Sequence, residues 1–140
     1  MARQAEPAVR ARLERIRASP VVHADATGWR EDGASAYVWT FRTETERYFL
    51  RRGRGKVVVD EVLDESFGGV LVSDFYVAYN HYPGPKQRCW DHLLRDVHDL
   101  RVVYPEDAKL ARWAKAIHKL YAEAKALVHP QARQRRLAQL

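Results

Sequence analysis

The chain has 140 residues, 46% of them apolar and 11% aromatic, which is enough for one domain with a real core and too little for two. That apolar content excludes a disordered chain, and no apolar run approaches the ~20 residues that a helical membrane span requires. A net charge of +6 and a pI near 9.7 favour an anionic partner, of which nucleic acid is the commonest.

Residues 5–18 are predicted to be helical, with Val9, Leu13 and Ile16 spaced by four and three, until Ser19-Pro20 stops the helix. Arg10, Arg12, Arg15 and Arg17 read as its solvated face. No apolar segment follows Met1, so no secretory signal is expected. A first strand spans residues 21–29, and Asp32-Gly33 marks a hairpin turn. Residues 36–42 alternate, with Tyr37, Trp39 and Phe41 on one face and Val38, Thr40 and Arg42 on the other. Residues 47–50 form a third antiparallel strand, and the aromatic residues on these strands read as core.

Residues 51–56, Arg-Arg-Gly-Arg-Gly-Lys, form a basic loop without phosphate-loop spacing; both a solvated turn and the rim of a nucleic-acid groove suit it. Residues 57–63 suit strand or helix. Helix is expected, because a crossover must precede a parallel strand. That strand is Val70 to Val72, a continuous apolar run of the kind covered on both faces. A loop over 80–85 and a short fifth strand over 87–90 follow. A helix over 92–102 is expected to turn Leu93, Leu94, Val97 and Leu100 inward. The longest amphipathic pattern opens at Pro105 and runs through Leu110, Trp113, Ile117, Leu120, Tyr121 and Leu127; Pro130 ends it before a basic helical tail over 131–140.

Asp25 and Asp74 each follow a strand-like apolar run, at the sheet edge where open α/β folds place ligands. If the two strands are parallel neighbours, the carboxylates meet. Such a pair suits Mg2+ or Mn2+, hard cations that prefer oxygen ligands. Without a cation, two charges ~4 Å apart repel by ~4 kcal/mol at an effective dielectric near 20. Taken singly, each aspartate also suits a turn cap. Cys89 and His92 do not make a zinc site, because Cys89 is the single cysteine; it also excludes an internal disulfide and is compatible with a reducing cytoplasm, the expected location.

Three blocks carry a resemblance: His23-Ala24-Asp25-Ala26-Thr27-Gly28-Trp29-Arg30, residues 70–79 (Val-Leu-Val-Ser-Asp-Phe-Tyr-Val-Ala-Tyr) and residues 87–96 (Gln-Arg-Cys-Trp-Asp-His-Leu-Leu-Arg-Asp). In order and spacing they resemble the bacterial insertion sequence sixty-six transposases, over about Ser19 to Leu140. The resemblance implies a DDE enzyme of ribonuclease-H-like fold that cuts and joins DNA with two aspartates, one glutamate and divalent metal. It makes Asp25 and Asp74 the first two acids, and it places His92 and Arg95 near the catalytic edge. The family's first block usually reads Asp-Glu-Thr, whereas Ala26 stands in its middle here. The third acid is expected beyond this chain, since Glu123 matches no such motif and Asp96 and Asp99 read as surface charges.

The resulting expectation is an α/β, ribonuclease-H-like mixed sheet: an N-terminal helix over 1–19, a partial catalytic core over 20–103 and a truncated helical insertion over 104–140. Asp25 and Asp74 are the catalytic and metal-binding residues, and Arg52, Arg54, Lys56, His92 and Arg95 are the candidate DNA contacts. The expected partners are transposon-end and target DNA, a second copy or a full-length transposase, and no membrane. Metal-dependent strand transfer is the expected chemistry, incomplete without the third acid; the alternative is a non-catalytic module that binds DNA or a transposase.

Overall fold

The computed structural model describes residues 2–127, and the chain divides into two compact units at the Cys89–Trp90 junction. Among the described residues the first unit holds one five-stranded mixed sheet and two α-helices, in the order α1 (Ala2–Arg17), β1 (Val21–Glu31), β2 (Ala34–Arg42), β3 (Arg47–Arg52), α2 (Val57–Leu63), β4 (Val70–Ser73) and β5 (Lys86–Arg88). A 3-10 turn, Val77–His81, lies between β4 and β5. The strand order is β3-β2-β1-β4-β5; β1, β2 and β3 are antiparallel neighbours, while β4 runs parallel to both β1 and β5.

Asp32 and Gly33, both at positive φ, make the tight turn between β1 and β2 that their sequence predicts. Alternation then divides the sheet. Val22 and Ala24 of β1, Trp39 and Phe41 of β2, Leu50 of β3 and Leu71 of β4 are buried in one core with Ile16 of α1 and Val58, Val59, Val62 and Leu63 of α2. The valine-rich segment 57–63 is helical as expected, and its buried residues recur at helical spacing. Tertiary burial of that stripe outweighs the local strand preference of three consecutive valines.

The arginines of α1 do more than face solvent. Arg12 and Arg15 both reach Glu46, and Arg17 donates to the Val62 and Glu61 carbonyls at 2.8 and 3.0 Å while pairing with Asp64 at 2.7 Å. A cation there meets the carbonyl-rich end of α2, where the helix dipole favours positive charge.

The second unit contains α3 (Trp90–Val103) and α4 (Ala108–Ala126), packed on each other with Trp90 against Tyr121. Asp107 caps α4 by accepting the Lys109 and Leu110 amides, so the helix begins three residues later than Pro105 suggested. Trp90, expected at the end of the fifth strand, instead starts α3. Val97 and Ala114 are buried, but Leu100 and Trp113, expected inward, are exposed. Two helices cover only the narrow stripe along their mutual contact, and these residues fall outside it. The expected helical tail over 131–140 lies outside the described residues. No described helix is long and apolar enough to cross a membrane.

Gly69 fixes how β4 meets β1. A Cβ there would lie 2.6 Å from the Ser19 carbonyl oxygen and 2.7 Å from that of Pro20, and the next amide, Val70, donates to Pro20 at 2.8 Å. Because the obstructing atoms are backbone, they cannot rotate away. Gly69→Ala is therefore expected to destabilise the protein by about 1–3 kcal/mol in denaturant unfolding.

His23, half-buried on β1, has its pKa lowered below 6.5 by burial and secondarily by the Arg42 charge. The unfolded chain therefore takes up this proton first as pH falls. Its stabilising contribution is full above about pH 6.5 and declines as pH drops through the folded-state value. His23→Gln should flatten that part of the thermal-melting profile between about pH 7 and 5.

Candidate metal centre

One offset governs the site. β1 and β4 pair with Val21 opposite Val70, Val22 opposite Leu71 and His23 opposite Val72, a constant separation of 49 residues. Asp25 and Asp74 are also 49 residues apart, so continuing the register by two positions sets one acid beside the other. Their carboxylates follow: an oxygen of Asp25 lies within 4.8 Å of an oxygen of Asp74.

The two acids are held differently. Asp25 is exposed within β1, paired across the antiparallel ladder with Thr40 of β2. Its Oδ1 accepts the Ala26 amide at 2.8 Å. Asp74 is half-buried just past the end of β4, and its Oδ1 accepts the Tyr76 amide at 2.9 Å. Each carboxylate therefore makes a local turn bond of the kind the sequence allows, and each also stands beside the other. The two roles are compatible, because an ionised carboxylate offers about four acceptor positions.

Arg88, at the end of β5, braces the second acid. It pairs in register with Ser73, and its Nη1 donates to the Asp74 carbonyl at 2.8 Å while Nη2 donates to the Asn80 side chain. The guanidinium also lies 5.7 Å from the centre of the Phe75 ring. The Cys89 amide donates to the Ser73 carbonyl at 2.7 Å, closing the same strand end. Arg88 lies in the third sequence block, and its place at the end of a short strand is the one signal in the sequence that points to it.

Tyr79 lies fully buried behind the acids, and among the described residues no hydrogen-bond partner reaches its hydroxyl. Burial raises its pKa far above the ordinary tyrosine value, and the negative charges of Asp74 and Asp25 push it the same way; Arg54 opposes them. The phenol therefore stays protonated, a neutral donor beside an acidic pair.

The basic residues separate by what they touch. Arg52 of β3 is bound in a fork to Glu61 of α2, with contacts of 3.2 and 2.8 Å. Lys56 lies 3.5 Å from His81, which in turn contacts Asp60 at 2.8 Å. The Arg54 guanidinium lies over two tyrosine rings. His92 and Arg95 lie in the first two turns of α3, in the second unit.

The structure thus brings Asp25 and Asp74 together, as their sequence positions suggest, and places Arg54 where its charge acts on the same buried phenol. A family model described as Transposase IS66 family matches residues 1–140. No curated protein and no solved structure matches the chain. With the match running over the full sequence, through the three blocks that contain both aspartates, the chain belongs to the IS66 family of transposases.

Proposed function

We propose that this chain carries the first two acids of a DDE-type DNA transposase, Asp25 and Asp74, on a ribonuclease-H-like core, and that they hold Mg2+ or Mn2+. The observation that carries the reading is the approach of the two carboxylates across neighbouring parallel strands. The strand order, three antiparallel strands followed by two parallel ones on the far side of β1, supports the ribonuclease-H-like reading. So does the donor set: two carboxylates are hard oxygen ligands suited to a small divalent cation that keeps several waters.

When bound, such a cation stabilises charge developing on a phosphodiester and makes a water molecule more acidic. The residues of the chain provide its placement. β1 fixes Asp25 through its antiparallel ladder with β2, and Arg88 with the Tyr76 amide fixes the turn that carries Asp74. Arg52, Arg54, Lys56, His92 and Arg95 are the proposed contacts to transposon-end and target DNA. Residues 20–103 form the core in this reading, and 104–140 belong to a helical insertion. The proposed location is the cytoplasm.

Among the described residues of the first unit no further Asp or Glu joins the pair within the same reach. We therefore assign this chain weak metal binding and little or no strand transfer by itself. The same observation favours one second reading, a non-catalytic module that binds DNA or associates with another transposase copy.

Calorimetric titration with Mn2+ tests the metal site. Asp25→Asn and Asp74→Asn are each expected to weaken binding by about tenfold or more, and Arg88→Ala to act in the same direction through the strand end. Affinity unchanged in both asparagine variants removes the acids from any metal role. Incubation of supercoiled plasmid with Mn2+ tests catalysis. No aspartate-dependent nicking is expected, so nicking that Asp25→Ala and Asp74→Ala abolish would overturn the assignment of inactivity. Salt-sensitive DNA binding without any Mn2+ binding selects the non-catalytic module.

A further inference from the structure

The β3–α2 connection contains a cation with an unusual mount. The carbonyl of Gly53 accepts the indole N–H of Trp39 at 3.2 Å, and Trp39 is fully buried in the sheet core. The loop is therefore tied to the buried core immediately before Arg54. The Arg54 guanidinium then lies 4.0 Å from the centre of the Tyr76 ring and 5.0 Å from that of Tyr37. Tyr76 is the residue whose amide is held by Asp74, and its ring lies 6.4 Å from Trp39 and 6.2 Å from Tyr79. One aromatic cluster thus supports both the Arg54 side chain and the turn that follows the second acid.

The electrostatic setting distinguishes Arg54 from its neighbours. Among the described residues, Arg12, Arg15, Arg17 and Arg52 are each paired with a carboxylate, whereas Arg54 has no ion pair. It is exposed, and its charge nonetheless acts on Tyr79 together with those of Asp74 and Asp25. A guanidinium that lies over an aromatic face can still donate through its in-plane N–H groups. Those groups match the oxygen spacing of a phosphate, and a pre-stacked side chain loses little rotamer freedom on binding.

We propose that Arg54, mounted on Tyr37 and Tyr76, is a preorganised phosphodiester-binding residue that grips the backbone of duplex DNA beside the Asp25–Asp74 pair. This rests on the proposed acid site and adds to it the residue that sets how the DNA backbone approaches. The ligand is a backbone phosphate and no base edge, so the contact is independent of DNA sequence.

The test is fluorescence anisotropy of the full chain with a short labelled DNA duplex, in EDTA over a salt series, alongside Mn2+ calorimetry of the same variants. Arg54→Ala should weaken duplex binding about threefold to tenfold, alike for unrelated sequences. It should also reduce the slope of log affinity against log salt by about 0.9, the value for one phosphate. Arg54→Lys keeps the charge but not the planar fork and is expected to regain only part of the affinity. It also decides the matter if the alanine variant is shown by circular dichroism to have lost its fold. Wild-type affinity and slope in Arg54→Ala, or an Arg54→Lys variant indistinguishable from wild type, overturns the proposal. So does a wild-type chain that binds no duplex. Mn2+ affinity should be unchanged in both Arg54 variants; failure of the wild-type chain to bind Mn2+ instead sinks the acid-site reading while the salt series still reports on Arg54.

Discussion

The register between β1 and β4 is the constraint on which the candidate site depends. Side chains alternate between the faces of a strand, so a slip of one residue in either partner would send its acid to the opposite face. The register is set at the far end of the pair, where Gly69 lets the backbone of β4 close on the Ser19 and Pro20 carbonyls and Val70 makes the first bond. From there three paired positions carry the two strands upward to the acids. A glycine without any polar chemistry thus determines where two carboxylates meet.

The sheet and its helices make that register rigid. Trp39 occupies the centre of the core, in contact with Phe41, Tyr76 and Tyr79. Two of those rings come from the segment that follows Asp74. Packing in the core and positioning at the edge are therefore the work of one aromatic group, and a cavity opened at Trp39 would be felt at the second acid. Arg88 completes the arrangement from β5, tying the Asp74 carbonyl to the Asn80 side chain across the 3-10 turn.

Much of this was legible in the sequence, and the reasons are specific. Alternation at Tyr37, Trp39 and Phe41 announced β2 because half-buried strands have a period of two. The segment 57–63 was ambiguous locally and was decided by topology, since a parallel β4 needs a crossover. The aspartates were legible because each follows an apolar run, and family membership agrees with the three blocks that contain or follow them. The Arg54 mount was not legible. It joins Tyr37 of β2 and Tyr76 beyond β4, residues whose proximity arises only after folding. The exposure of Leu100 and Trp113 was also hidden, because helical periodicity marks an apolar face without saying how much of it a neighbour covers.

The unequal mounting of the two acids has a mechanical meaning. Asp25 belongs to an uninterrupted strand that continues to Glu31, whereas Asp74 stands where β4 has already stopped. One jaw of this vice is bolted to the sheet by its own strand; the other is held from outside its strand, by Arg88 and the Tyr76 amide. The two jaws therefore answer to different substitutions: loss of Arg88 loosens the Asp74 side and leaves Asp25 as the fixed reference.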